Sequence, residues 1–401
     1  MRVSPGSTTR QLSLLFGARV VLNTAYRIVY PFLPAIARGL DISIASASQL
    51  VSLRLLPGLA APWLGSVGDR QGRRRMIEAA LALFALAGLL IASLGTTWAL
   101  AAALVLYGLS KVVFDPSFQA LLGDMFPYDR RARAVGLMEL SWSAAWLLGV
   151  PMSGYLIQHF GWRSPWAVLA LLGFVSFLLL RRNLPHDRQP AIAADSATTA
   201  PLGSTWLSLP RRPGMPALLA TVLLLAFAIE LPFIVYGAWL EEAFGLGLAS
   251  LGLASAVMGI AEAVAELGTT FLADRFGKRR STLAGLLGLA AGLALLPRLA
   301  GLGLVAAMGG MVLVVLAFEF AIVSFIPLAT EAAPDARALL LSYVVTAMLL
   351  GRMVGSFAGG WLWERQVGGI ALQAYVGSGA ALLAFLVMLR GVQEMGDPEK
   401  P

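Results

Sequence analysis

No cysteine occurs in the 401-residue sequence, histidine occurs twice, and charged residues make up only 13% of it. Without cysteine the chain can form no disulfide, thiolate nucleophile or thiolate metal site. His159 and His186 fall in expected loops, which leaves neither a histidine metal cluster nor a buried imidazole switch. A phosphate-binding glycine loop, a nucleophile elbow and a sizeable polar domain are also missing, so covalent catalysis and ATP coupling have no support. The expectation is a protein that is not an enzyme and carries no cofactor and no metal. No short apolar segment ending in a small-residue cleavage site precedes a soluble remainder, so the apolar run beginning near Leu12 reads as a retained span.

What is present is hydrophobic: 58% of the residues, with a mean hydropathy of +0.78. These values lie outside the range of soluble globular chains and imply an all-α integral membrane protein. The net charge of +8 would suit a nucleic-acid binder, but basic residues flanking apolar segments follow from the positive-inside rule, and no nucleic-acid partner is expected. Segments long enough to cross a hydrocarbon core of about 30 Å fall near 12–37, 46–66, 76–95, 97–122, 134–158, 163–181, 216–240, 248–272, 281–300, 303–328, 337–362 and 368–390. Assigned alternately to two sides, the loops put most arginines on one side and only Arg38, Arg163, Arg298 and Arg365 on the other. Both termini are therefore expected in the cytoplasm, in a bacterial-type inner membrane. The composition breaks once, over about 182–215, where Pro, Ala, Ser, Thr and Arg dominate. That gives a six-helix bundle over 1–181, a cytoplasmic linker over 182–215, and a second six-helix bundle with a short tail over 216–401.

The two halves resemble each other. "GSVGDRQGRRR" after the second span returns as "TFLADRFGKRR" after the eighth, aligning Asp69 with Asp274, Arg70 with Arg275 and Gly72 with Gly277. Duplication of a six-helix unit accounts for this. The Gly-x-x-x-Asp-Arg-x-Gly-Arg-Arg order between two spans resembles motif A of the major facilitator superfamily. The pattern is similar to that of its bacterial twelve-helix, proton-coupled efflux members. The resemblance implies two pseudo-symmetric six-helix bundles and a cytoplasmic gate, here Gly65, Asp69, Arg70, Gly72, Arg73 and Asp124, with Asp274, Arg275 and Gly277 in the second half. In the antiporters of this family a glycine cluster with an adjacent Gly-Pro marks the fifth helix. Here "AWLLGVPMSGYL" splits that pair with Val150, and the family's fourth-helix arginine is Leu104.

Lys111, one turn beyond Gly108 on the fourth span, could replace that missing cation, since an ammonium gives up its proton more readily than a guanidinium. Alternatively Lys111 and Asp115 neutralise each other as an i, i+4 pair. The spans also enclose Arg19, Arg27, Arg54, Glu139, Glu230, Glu262, Glu266, Glu319 and Arg352, and each charge at a helix centre costs about 2.5–3.5 kcal/mol on insertion scales. On the first span Arg19, Asn23, Arg27 and Tyr30 follow helical spacing and form one polar stripe. The residues expected at a solute cavity are Asn23, Arg27, Tyr30, Arg54, Lys111, Glu230, Tyr236, Glu319 and Arg352. Proton coupling is assigned to Glu230, Glu262, Glu266, Glu319 or Asp115. The aromatic residues Trp142, Trp146, Tyr26, Tyr30, Tyr107 and Tyr236 favour packing over stacking on a solute. The expected function is secondary active transport of a small organic solute by alternating access, as proton-coupled export. An uptake symporter or a translocator of a lipid-like amphiphile is the alternative. The partners are the solute, the proton and membrane lipid, with the protein a monomer.

Overall fold

The structure is a computed structural model that describes residues 5–60, 72–126, 128–184, 208–333, 336–365 and 369–392. Every regular element among them is helical. They belong to two compact units, Met1–Ala194 with Leu246–Gly259, and Asp195–Gly245 with Ile260–Pro401.

In the first unit α1 (Pro5–Arg27) and α2 (Leu33–Leu40) make the first span, and α3 (Ile44–Ser52) runs on into a 3₁₀ segment, Leu53–Ala60, as the second. Then come α4 (Arg73–Leu94), α5 (Thr97–Met125), α6 (Tyr128–Glu139), α7 (Ser141–Ala144), a π-helical turn (Ala145–Gly149), α8 (Val150–Phe160) and α9 (Ser164–Asn183). The second unit contributes α10 (Met215–Phe233), α11 (Tyr236–Phe244), α12 (Leu248–Phe276), α13 (Lys278–Ala300), α14 (Leu304–Ala332), α15 (Arg337–Arg365) and α16 (Ala371–Gly391). By the bounds above, α12 starts in the first unit and continues into the second.

Ten of these stretches are long and apolar enough to span a membrane by themselves. The first span fails that test because Arg10, Arg19 and Arg27 lie along α1. The second is described only as far as Ala60, through α3 and the 3₁₀ segment that begins at Leu53, and that stretch is too short to count by itself. Between them the chain bends by 108°. Asp41 takes a left-handed conformation, its N–H bonded to Arg38 O, and the Ser43 side chain caps α3 by accepting from the Ser46 N–H at 3.1 Å. With these two, the fold is the expected all-α membrane protein of twelve transmembrane helices in two six-helix bundles.

Several spans that read as continuous in the sequence are interrupted, and proline supplies the reason. Pro31 has no N–H for the carbonyl four residues back, so Arg27 O accepts instead from the Tyr30 N–H at 3.2 Å, and α1 stops. Pro57 sits in the 3₁₀ segment, Pro151 follows the π-helical turn, and Pro232 precedes the break between α10 and α11. Tyr30 therefore lies beyond the end of α1, and the polar stripe expected over Arg19–Tyr30 ends at Arg27.

Glycine sets the closest helix approaches. A Cβ at Gly108 would lie 1.9 Å from Arg54 O, so α5 touches the backbone of the 3₁₀ segment directly. In the second unit Gly351, Gly355 and Gly359 recur every fourth residue along α15. A Cβ there would meet Leu223 O at 2.2 Å, Glu230 Cβ at 2.8 Å and Leu231 O at 2.5 Å. This small-residue seam lets α15 lie against α10, the type of contact that holds helices together where lipid removes the hydrophobic drive.

Candidate functional site

The repeated motif has the same backbone form in both units. Gly72 takes φ 93° and ψ 143° just before α4, and Gly277 takes φ 85° and ψ 143° just before α13. That left-handed φ is open to glycine and strained for other residues, which accounts for the glycine in each copy. The residue after each glycine pairs with an acid at the end of the fourth helix of its unit, Arg73 with Asp124 and Lys278 with Glu331. The next residue caps the last helix of its unit. Arg74 donates to Leu184 O at 3.0 Å and Arg181 O at 2.5 Å, and Arg279 donates to Val392 O at 2.7 Å and Leu389 O at 2.8 Å. A cation beside exposed carbonyls complements the helix dipole. Of the expected gate residues, Gly65, Asp69 and Arg70 lie outside the described residues, as does the side chain of Asp274; Arg275 lies in the last turn of α12 and is exposed.

Within the spans of the first unit, four charges form one network. Lys111 Nζ lies 2.7 Å from Asp115 and donates to Asn23 Oδ1 at 2.8 Å, with the Trp142 ring 4.3 Å away. Arg19 donates to both Glu139 oxygens at 2.9 and 3.0 Å and to Met138 O at 2.8 Å, and its Nε lies 3.6 Å from Asp115. Asn23 also donates to Ser141 Oγ at 3.0 Å. The i, i+4 pairing of Lys111 and Asp115 is thus present, tied into α1, α6 and α7 rather than standing alone. Two cations and two carboxylates sum to zero formal charge.

Two further arginines sit on aromatic faces. Arg27 lies 4.7 Å from the Trp142 ring and 4.8 Å from the Trp146 ring. Arg54 lies 4.8 Å from both the Tyr26 and Tyr30 rings, and donates to Tyr26 O at 2.6 Å and Tyr30 Oη at 2.7 Å. Trp142, Trp146, Tyr26 and Tyr30 therefore hold cations as well as packing. Tyr107 packs between Phe84 and Trp166, and Tyr236 is buried against Phe233.

In the second unit the fully buried Glu230 accepts from Arg352 Nη1 at 3.0 Å and from Ser356 Oγ at 2.8 Å. Ser356 gave no signal in the sequence reading. It lies one turn after Arg352 and next to the seam glycine Gly355, and that i, i+4 spacing could have marked it. Arg352 also lies 5.6 Å from the Phe318 ring. Glu262 is buried on α12, while Glu266 and, on α14, Glu319 are half-buried. Among the described residues no cluster of acidic and histidine side chains could hold a metal ion.

The comparisons with known proteins agree with this architecture. The family model of the Major Facilitator Superfamily matches residues 15–355 and 218–401. The MFS-type transporter YwfA of Bacillus subtilis (strain 168) is 24% identical over 260 residues, 65% of this chain and 63% of that protein, so the match spans under two thirds of that relative. The class C tetracycline resistance protein of Escherichia coli is 25% identical over 295 residues, 71% of this chain and 73% of its own. A solved D-xylose-proton symporter has the same fold, with a TM-score of 0.78 and 17% identity, over 96% of this chain and 97% of that one.

Proposed function

The chain belongs to the major facilitator superfamily, a family of multi-pass membrane transporters, and from that premise we propose that it exports a small organic solute in exchange for protons. The observation that carries the coupling is Glu230, a buried carboxylate that accepts from Arg352 and Ser356 beside a break in its own span. Burial favours the protonated form of a carboxylate, and an adjacent guanidinium favours the ionised one. A glutamate that keeps Arg352 in one conformation and loses it in another would bind a proton on one side and release it on the other. Asp115, in contact with Lys111 and Arg19, is a further candidate, and Glu262, Glu266 and Glu319 remain candidates from their position within the spans.

The solute would meet Asn23, Arg27, Tyr30, Arg54 and Lys111 in the first unit, and Glu230, Tyr236, Glu319 and Arg352 in the second. Both termini and the linker are placed in the cytoplasm by the positive-inside rule, with the protein a monomer in a bacterial-type inner membrane. Efflux is favoured by the tetracycline-resistance relative and by the resemblance of the glycine-rich fifth span to the antiporter signature.

The test is reconstitution in liposomes with an imposed pH gradient and tetracycline, ethidium and a labelled hexose as solutes. Gradient-driven accumulation of one of them should disappear in Glu230→Gln, and whatever counterflow of that solute remains should no longer depend on pH. Accumulation that follows a sodium gradient instead, or that is unchanged in the variant, would remove proton coupling through Glu230.

A further inference from the structure

Arg54 differs from Arg19, Lys111 and Arg352 in what balances its charge. The residue is 2% exposed, and no carboxylate among the described residues forms an ion pair with it. The acids available within the spans of its own unit, Asp115 and Glu139, are engaged by Lys111 and Arg19. A buried guanidinium in hydrocarbon needs counter-charge or a full set of acceptors. Nη1 finds one in Tyr26 O, the carbonyl freed where Pro31 stops α1, and the end of that helix adds partial negative charge. Nη2 finds the Tyr30 hydroxyl. Nε is buried and, among the described residues, has no hydrogen-bond partner.

The arrangement leaves one edge of the guanidinium incomplete. Nε and Nη2 are the two donors that face the same way along the side of the group, the fork that takes a carboxylate or phosphate with two parallel hydrogen bonds. One prong has no acceptor among the described residues, and the other holds the neutral hydroxyl of Tyr30. Resting on the transport reading above, we propose that this edge of Arg54 binds an oxyanion group of the solute, a carboxylate or phosphate. Nη1 stays anchored on Tyr26 O, and the Tyr30 hydroxyl occupies the site until the anion displaces it. The solute is then an organic acid or a zwitterion. The Tyr26 and Tyr30 rings hold the guanidinium in plane, so the fork is oriented before the ligand arrives.

The proposal is tested on the purified full chain in detergent by thermal unfolding with benzoate, inorganic phosphate or neutral benzamide, all at one ionic strength set with sodium chloride. Benzoate or phosphate should raise the midpoint by about 3 °C at saturation, as a ligand of the folded state does, and benzamide should not. Arg54→Gln should abolish the shift, and Arg54→Lys, which keeps the charge without the fork, should weaken binding at least tenfold. Tyr30→Phe, which removes the internal competitor, should lower the half-saturating benzoate concentration several-fold, and it keeps the test open if the Arg54 variants do not fold. An anion shift equal to that of benzamide, or one unchanged in the Arg54 and Tyr30 variants, would leave Arg54 as no more than a clamp on the helix break. A shift produced by phosphatidylglycerol micelles but by neither soluble anion would assign the fork to a lipid headgroup and overturn the solute proposal. Benzoate binding at Arg54 with no solute movement in liposomes would keep the anion site and remove the transport reading. Movement that ignores Arg54 would do the reverse.

Discussion

In the first unit the side chains of Arg19 and Lys111 are 3% and 9% exposed, while their partners Asp115 and Glu139 keep 27% and 36%. In the second unit the order is reversed: Glu230 is 1% exposed and Arg352 is 25% exposed. One bundle buries its cations and leaves its acids partly exposed; the other buries its acid and leaves its cation partly exposed. Pairing alone would predict similar roles for all these residues. The difference in depth says instead that each network depends on whichever partner neutralises the hidden charge.

Deleting one residue at a time can break this comparison. Arg352→Ala removes the guanidinium that neutralises a buried carboxylate and should destabilise the protein by about 3 kcal/mol. Glu230→Gln leaves a guanidinium that can turn toward water, and should cost about 1 kcal/mol. Denaturant titration of the two variants in detergent measures both, and equal costs would mean that depth is irrelevant here. The first unit should invert the rule. Asp115→Asn removes the acid shared by two buried cations and should cost about 2 kcal/mol, whereas Lys111→Met leaves a partly exposed carboxylate still beside Arg19 and should cost about half that. Glu139→Gln should cost less again, because its carboxylate is more than a third exposed.

The glycines sharpen the same contrast. Gly149 faces Thr24 and Gly355 faces Glu230, and the two pairs stand at an equal offset along the chain. They are the same helix contact in the two halves, with a hydroxyl in one and the buried acid in the other. A Cβ at Gly149 would come within 2.0 Å of Thr24 Oγ1, so Gly149→Ala should cost about 2 kcal/mol and should be largely relieved by Thr24→Ala. At Gly355 the nearest atom is Glu230 Cβ at 2.8 Å, so Gly355→Ala should cost about 1 kcal/mol in stability. Its larger effect should be on pH-driven transport, because it displaces the glutamate. A loss of stability without any change in coupling would separate this seam from the proton site.

These outcomes also bear on what the sequence could reveal. The repeated Asp-Arg-x-Gly motif was legible because backbone geometry demands glycine at residues 72 and 277, and a demand of that kind leaves a letter behind. The buried charges were legible because lipid makes each of them costly. The breaks in the first, second, fifth and seventh spans were not read from the same letters. Pro31, Pro57, Pro151 and Pro232 are visible, but proline within a membrane helix is compatible with a kink, a 3₁₀ turn, a π turn or a full stop. Which one occurs depends on what satisfies the freed carbonyl, and for Tyr26 O that donor is Arg54, from another span. The helical stripe from Arg19 to Tyr30 failed for this reason: its spacing assumed a helix that Pro31 ends.

Arg74 and Arg279 supply the control, because the two units treat them alike. Each follows its motif glycine by two residues, and each donates to two carbonyls at the end of the last helix of its unit. If depth explains the charge networks, then residues matched in both depth and partners should respond equally. Arg74→Ala and Arg279→Ala should each lower stability by about 1 kcal/mol, the scale of a cation at a helix C-terminus. One local difference remains: Arg74 also meets Glu78 at 2.7 Å one turn along α4, whereas the matching position on α13 is Leu283. An i, i+4 ion pair is worth a few tenths of a kcal/mol and weakens in salt. Arg74→Ala should therefore exceed Arg279→Ala by about 0.3 kcal/mol at low ionic strength, and the two should converge as salt is raised. A larger gap that persists in salt would mean that the halves differ at the motif itself, and the reversed charge networks could no longer be attributed to burial alone.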